Sequence, residues 1–294
     1  MPVSSATGGK GCRRTGRQRW VVHVQVVVHV NVDVKVNVNV NVVTSPHAQR
    51  SGVGDVPELR FTEMVSGPSP IGPEGHEAFI RSHTELAPVP MVTTIQLYTA
   101  TELVPIWRAT ENWLTERGLG VPFWCVPWAG GQALARWVLE HPEIVRGKRV
   151  LDFGAGSGLI AIAAARAGAA EVRAVDVDPI AIAACILNAA ANDVSFDTVC
   201  SDIVDQDVEA DIVLAGDVWY ELTASARFAR WLRSIAARGT RVFTGDPGRH
   251  YLPSHARELA AYDVPTSWDL ESAHSRRSRV LEILPLPIAT QPSA

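Results

Sequence analysis

Acids and glycines fall in this chain where a small-molecule site needs them. Val150-Leu151-Asp152-Phe153 is a short apolar run interrupted by an aspartate, and Gly154, Gly156 and Gly158 follow at alternate positions, with Ala155 and Ser157 between them. Glycine lets the backbone approach a ligand closely, because no Cβ stands in the way. Glu171 to Val175 then leads into Asp176, a second acid at a strand tip. Asp202 follows the run Asp197 to Cys200, and Asp217 follows the apolar run Asp211 to Ala215. In an open α/β sheet the carboxyl ends of parallel strands share one edge, so these acids are expected to line a single cleft.

The spacing selects among ligands. A dinucleotide turn reads G-x-G-x-x-G and holds a pyrophosphate at a helix N-terminus. Here the order is D-x-G-x-G-x-G, and Asp152 would repel a pyrophosphate, which disfavours a nicotinamide oxidoreductase. A carboxylate suits a cationic ligand carrying an ammonium group, such as S-adenosylmethionine. The pattern resembles motif I of the class I methyltransferases. Asp152, Gly154, Ala155, Gly156, Ser157 and Gly158 are therefore candidate cofactor contacts, and Asp176 is placed to accept from a ribose diol. Asp202 either accepts from the adenine amino group or is a solvated loop acid. Asp178-Pro179 reads as a helix start, with Asp178 as N-cap.

Three further segments carry candidate chemistry. In Asp217-Val218-Trp219-Tyr220 the aromatics either wall the methyl-accepting group, where a ring face suits a cation, or pack in the core. Asp217, Trp219 and Tyr220 are the candidate catalytic residues, with Asp217 a candidate cofactor contact as well. Pro122 to Gln132 is dense in aromatics and ends in Gly130-Gly131 before a helix. It either covers the cofactor or packs as an extension, and Trp128 and Gly131 are its candidate cofactor contacts. Gly245-Asp246-Pro247-Gly248-Arg249 is a turn signal whose Asp246 and Arg249 are candidates for substrate contact. The 4 cysteines lie far apart without metal-type spacing, so no metal site is expected.

These residues need a scaffold. From Arg149 onward, strand and helix patterns alternate: strands at Val150 to Phe153, Val172 to Asp176, Asp197 to Cys200, Asp211 to Ala215 and Thr240 to Thr244, and helices at Leu159 to Ala167, Ile180 to Asn192, Ala224 to Ala237 and Ser254 to Tyr262. Val264 to Leu270 and Arg279 to Leu284 read as a closing pair. The alternation predicts an α/β fold, a doubly wound, mostly parallel sheet with one antiparallel edge strand. That matches the seven-stranded, Rossmann-like architecture of the class I methyltransferases. Upstream, Glu77 to Leu86 and Gln132 to Glu140 read as helices, Ile95 to Tyr98 as a strand and Thr110 to Glu116 as a short element.

Composition bounds the rest. With 294 residues, 47% hydrophobic and 20% charged, the chain reads as a soluble globular protein. A net charge of -4 gives no sign of nucleic-acid binding, and no apolar run is long enough to span a bilayer. Scarce lysine beside abundant arginine, alanine and valine points to a bacterial protein, and unpaired thiols to the cytoplasm. A monomer is expected. The first 73 residues form a separate low-complexity or disordered extension: a basic start, then near-perfect alternation of valine with polar residues. This is an aggregation-prone strand or binding arm, a targeting segment, or the product of a start site set upstream of Met64. The last reading fits best, because such a segment cannot bury its own surface. The folded domain is expected over 74–294, with 74–148 as a covering extension.

Taken together, the segments resemble one family. Asp217-Val218-Trp219-Tyr220 is similar to the acid-x-x-Tyr signature of seven-stranded protein methyltransferases. Phe79-Ile80 with His83-Thr84, Ile95-Gln96-Leu97, Trp128 to Leu134, Arg146-Gly147-Lys148, Asp176 to Ala181 and Gly245 to Arg249 resemble the electron-transfer-flavoprotein β-subunit lysine methyltransferases and their bacterial, nicotinamide N-methylase-like relatives. The likeness runs from about Phe79 to Arg249 and fades after Tyr251. Ala129 stands where the family often has proline, and Trp219 where phenylalanine is commoner. The resemblance implies methyl transfer from S-adenosylmethionine to a lysine ε-amine of an electron-transfer-flavoprotein β-subunit, or alternatively to a small amine or heterocycle. It implies that Asp217 orients the amine or takes its proton.

Overall fold

The computed structural model describes residues 24–30, 36–42, 73–100, 122–266 and 273–286. The chain divides into two compact units, Met1–Asp55 and Val56–Ala294. In the first, the alternating segment supplies its own partner, contrary to the single unpartnered run expected: β1 (Val24–Val30) pairs antiparallel with β2 (Val36–Val42), Val24 opposite Val42. The short element expected at Thr110 to Glu116 lies outside the described residues.

The second unit is built around β5 (Arg149–Phe153), whose residues after Arg149 are all buried. A strand covered on both faces reads as a continuous apolar run, and only Asp152 breaks it. β5 pairs in parallel with β6 (Glu171–Asp176) on one side and β8 (Ile212–Gly216) on the other. With β7 (Asp197–Cys200), β9 (Arg241–Asp246), β10 (Ala256–Pro265) and β11 (Ser275–Ile283), the sheet runs β10-β11-β9-β8-β5-β6-β7. Strand order reverses beside β5, which opens a crevice above the carboxyl ends of β5, β6 and β8. β11 is the one reversed strand, held between β9 and the edge strand β10.

The helices cover both faces. α2 (Ala129–Glu140) and α3 (Leu159–Arg166) bury Leu134, Trp137, Val138, Ile160 and Ile162 against Leu214 and Phe243. α5 (Leu222–Ala237) buries Trp231, Leu232 and Ile235 against Val213 and Val242 on the opposite face. α4 (Pro179–Ala191) packs against α1 (Pro73–His83) and the 3-10 turn Phe123–Cys125, joining Ile180 and Leu187 to Ile80 and Trp124. Asp178 caps α4 by accepting from the Ile180 N–H at 2.8 Å, as its sequence predicts.

Two expected helices need correction. Ser254 to Tyr262 is not helical: Ala256–Pro265 is β10, antiparallel to β11, with an irregularity between Glu258 and Ala260. Alanine, leucine and glutamate favour helix locally. The ladder to β11 and the packing of Leu259, Ala260 and Tyr262 on the core outweigh that preference. The closing pair is therefore Ala256–Pro265 with Ser275–Ile283. The helix expected over Glu77 to Leu86 runs Pro73–His83 instead, and Glu85–Val89 is β3, paired antiparallel with β4 (Val92–Thr99).

That small hairpin is fastened to α4 by two buried amides one helical turn apart. The Asn188 Oδ1 accepts from the Tyr98 N–H at 2.8 Å, and the Asn192 Oδ1 from the Gln96 N–H at 3.0 Å. Asn188 also donates to the Ser157 carbonyl at 2.8 Å, which joins the hairpin to the glycine turn.

Candidate active site

The glycine turn follows β5, and all three of its glycines have positive φ, +66° at Gly154, +52° at Gly156 and +77° at Gly158. At Gly158 a Cβ would also lie 3.1 Å from the Cys185 sulfur, so the residue type is set by backbone angle and space together. The turn is tied to β6: the Gly154 and Ala155 N–H groups donate to the Val175 carbonyl at 2.9 and 3.0 Å, and the Gly156 N–H to Asp176 Oδ2 at 2.8 Å. Asp176 also accepts from the Asp178 N–H at 3.0 Å. A carboxylate has about four acceptor sites, so capacity remains there for a diol. Ser157 and Ala155 are buried in the turn.

Asp152 is fully buried beneath this turn. Its Oδ2 accepts from the Ala161 N–H in the first turn of α3 at 2.9 Å, and its Oδ1 has no hydrogen-bond partner. Burial pushes its carboxyl up to about 7, and the nearby Asp176 adds to the effect. A buried acid with one idle oxygen beside a glycine turn fits a ligand that brings positive charge and N–H donors. S-adenosylmethionine meets that requirement, and Asp152, Gly156, Ser157 and Asp176 are the residues that would hold it.

Beyond β8 lies a second group. Asp217 adopts a left-handed backbone, φ +56°, held by its N–H to the Gly245 carbonyl at 2.9 Å. Its Oδ2 accepts from the Gly131 N–H at 2.6 Å and its Oδ1 from Arg249 at 2.9 Å. Arg249 also lies 3.7 Å from Asp246, whose Oδ1 accepts from the Gly248 and Arg249 N–H groups at 2.6 Å each. Burial, with Asp217 close by, pushes the Asp246 carboxyl up to about 6.

An aromatic group adjoins this charge cluster through Arg249. The Phe123 ring lies 5.3 Å from Tyr220 and 6.0 Å from Trp128. The Arg249 guanidinium stands 5.9 Å from the Trp128 ring centre. Burial pushes the Tyr220 hydroxyl up to about 12, so it stays protonated near neutral pH. The negative charge of Asp176 acts in the same direction on Tyr220.

The glycine pairs make this assembly possible. A Cβ at Gly130 would lie 2.3 Å from the Gly245 carbonyl oxygen, and one at Gly245 would lie 2.0 Å from the Gly130 oxygen. The start of α2 thus rests backbone to backbone on β9, which carries the Gly131 N–H within reach of Asp217.

The structure separates the expected residues into groups. Asp152, Gly154, Ala155, Gly156, Ser157, Gly158 and Asp176 form the turn as expected. Gly131 and Trp128 belong with Asp217 and Arg249 on the far side: the Gly131 N–H is taken by Asp217, and the Trp128 indole donates to the Phe123 carbonyl at 2.9 Å. Asp202 is engaged elsewhere, its Oδ1 by the Val204 N–H at 2.9 Å and its Oδ2 by Arg227 at 2.5 Å, so an adenine amino group would compete with an arginine. Trp219 is a correction. It is fully buried, donates to the Thr244 hydroxyl at 2.8 Å and packs in the α5-side core, so it walls no acceptor. Phe123 is the ring that lies beside both Tyr220 and Trp128. Asn188, which bonds the glycine turn, carried no sequence signal beyond its place on a helix.

Comparisons with known proteins show which family the chain is similar to. A family model described as Ribosomal protein L11 methyltransferase (PrmA) matches residues 135–222, which run from within α2 to the start of α5 and include the glycine turn and Asp217. The electron transfer flavoprotein beta subunit lysine methyltransferase of Xenopus laevis is 38% identical over 199 residues, 65% of this chain and 79% of the relative. Its Mus musculus counterpart is 33% identical over 219 residues, 71% of this chain and 84% of the relative. Among solved structures, a ribosomal protein L11 methylase from Lactobacillus delbrueckii subsp. bulgaricus is 21% identical, covers 52% of this chain and 77% of its own, and has a TM-score of 0.38. With that likeness spanning most of the relatives' length, the chain belongs to the electron transfer flavoprotein beta subunit lysine methyltransferase family and is an S-adenosylmethionine-dependent methyltransferase.

Proposed function

We propose that the protein methylates a lysine ε-amine on an electron-transfer-flavoprotein β-subunit, as a bacterial, cytoplasmic monomer without a nucleic-acid partner. The observation that carries this reading is Asp217, fixed by the Gly131 N–H and Arg249 beside Phe123, Trp128 and Tyr220. A carboxylate whose arginine partner adjoins an aromatic group suits a side chain that arrives as a cation. The relatives' names supply the protein acceptor. The buried free thiols Cys125 and Cys185 suit a reducing compartment.

When bound, S-adenosylmethionine supplies an electrophilic methyl group on a sulfonium. Asp152 and the glycine turn would hold it, and Asp217 would receive the acceptor beyond β8. The amine must be neutral to attack, whereas lysine titrates near 10.4 in water. The aromatic group desolvates the ammonium and favours loss of its proton. Asp217 orients the amine and accepts that proton, directly or through water. The protonated Tyr220 hydroxyl offers its oxygen to a remaining N–H. Alignment of the reacting atoms supplies much of the rate.

The test is intact-mass and peptide analysis of an electron-transfer-flavoprotein β-subunit incubated with enzyme and S-adenosylmethionine. Lysine methylation supports the reading. Cofactor binding by calorimetry without methylation of this protein would move the acceptor to small amines such as nicotinamide.

A further inference from the structure

We propose that Arg249 is a positioning residue that sets the charge state of the acceptor site. It offsets the grip of the Asp217 and Asp246 carboxylates on the incoming ammonium. The inference rests on the reading above, in which the amine enters beside Asp217.

The geometry is that of two acids sharing one guanidinium. Arg249 lies 2.9 Å from Asp217 and 3.7 Å from Asp246, and its side chain is only 17% exposed. Asp246 is fully buried and Asp217 nearly so. Neither acid is free to turn away, because backbone N–H groups pin both: Gly131 on Asp217, and Gly248 and Arg249 on Asp246. Among the described residues, further charged and titratable groups stand near the cluster. Tyr220 stands beyond β8 and feels Arg249, Asp176 and Glu221. Arg279 of β11 reaches the turn beside Gly248. α2 contributes Trp128 and the Gly131 N–H, neither of which titrates near neutral pH.

Removing the guanidinium would leave two buried carboxylates sharing a site. An ammonium entering beside them meets uncompensated negative charge and holds its own proton more tightly. That raises the pH at which the enzyme becomes active. An arginine that merely braced the fold would lower the rate equally at every pH.

The test is the pH dependence of initial methylation rates on an electron-transfer-flavoprotein β-subunit, across roughly pH 6–10, with S-adenosylmethionine binding followed by calorimetry. Arg249→Gln should shift the acidic limb upward by about one pH unit, leaving about a tenfold deficit on that limb that closes at alkaline pH. Arg249→Lys, which keeps the charge, should hold the limb near its original place. An unmoved limb, or a uniform loss at all pH values, overturns the proposal. If Arg249→Gln no longer binds the cofactor, Asp246→Asn tests the same balance from the other side: it removes one acid and should move the limb downward, and no movement overturns the proposal. Unmodified enzyme that binds cofactor but leaves the β-subunit unmethylated defeats the acceptor reading and this inference with it; an active enzyme with unmoved variants defeats this inference alone.

Discussion

At the scale of single residues, the site holds two acids with opposite needs. Asp217 has partners for both oxygens, whereas Asp152 has a partner for only one. Asp217→Ala should lower methyl transfer by about a hundredfold or more while calorimetry still shows cofactor binding; full activity would remove Asp217 from the mechanism. Asp152→Asn should do the reverse, weakening cofactor binding while making the ligand-free protein more resistant to denaturant, because a buried unpaired charge is gone. A destabilised variant that binds normally would contradict the role assigned to Asp152. Trp219→Phe tests the correction made above. It loses the bond to Thr244 and should cost about 1–2 kcal/mol in chemical denaturation, with the cofactor-saturated rate little changed.

At the scale of elements, the site depends on how closely α2 lies on β9. Gly245→Ala would drive a methyl group into the Gly130 backbone, which cannot yield as a flexible side chain can. A loss of about 1–3 kcal/mol or more is expected in the unfolding midpoint, together with lost activity as the Gly131 N–H moves off Asp217. The sequence showed these glycines as turn signals and could not show that they meet, since the contact joins residues distant in the chain. Other elements were legible to different degrees. The glycine turn and β5 were plain because an apolar run, an acid and alternating glycines are local patterns. β10 was not, because Arg257-Glu258-Leu259-Ala260-Ala261 favours helix until β11 arrives to pair with it. Arg249 showed itself as a turn residue and a candidate for substrate contact, and its pairing with Asp217 required the fold.

At the scale of the whole molecule, the buried acids make stability depend on pH in an unusual direction. Asp152 and Asp178 are pushed up to about 7 and Asp246 to about 6, chiefly by burial. Each is raised above its value of 3.8 in the unfolded chain. Between those values the folded protein holds protons that the unfolded chain has released, so these groups make stability fall as pH rises from about 4 to about 7. Bound S-adenosylmethionine would compensate Asp152 once it is ionised. The rise in melting temperature on adding cofactor should therefore be larger at pH 8 than at pH 6, measured at the same free cofactor concentration. An equal rise at both would mean that Asp152 does not titrate in this range.

The two amides on α4 carry a consequence for how the enzyme can be watched. Asn188 grips the Ser157 carbonyl with its nitrogen and the Tyr98 N–H with its oxygen. One planar group therefore spans the floor of the cofactor site and a peripheral strand, and tightening at one end restrains the other. The Tyr98 amide becomes a built-in reporter: its exchange with solvent deuterium should slow when the glycine turn is loaded, without any probe being attached near the chemistry.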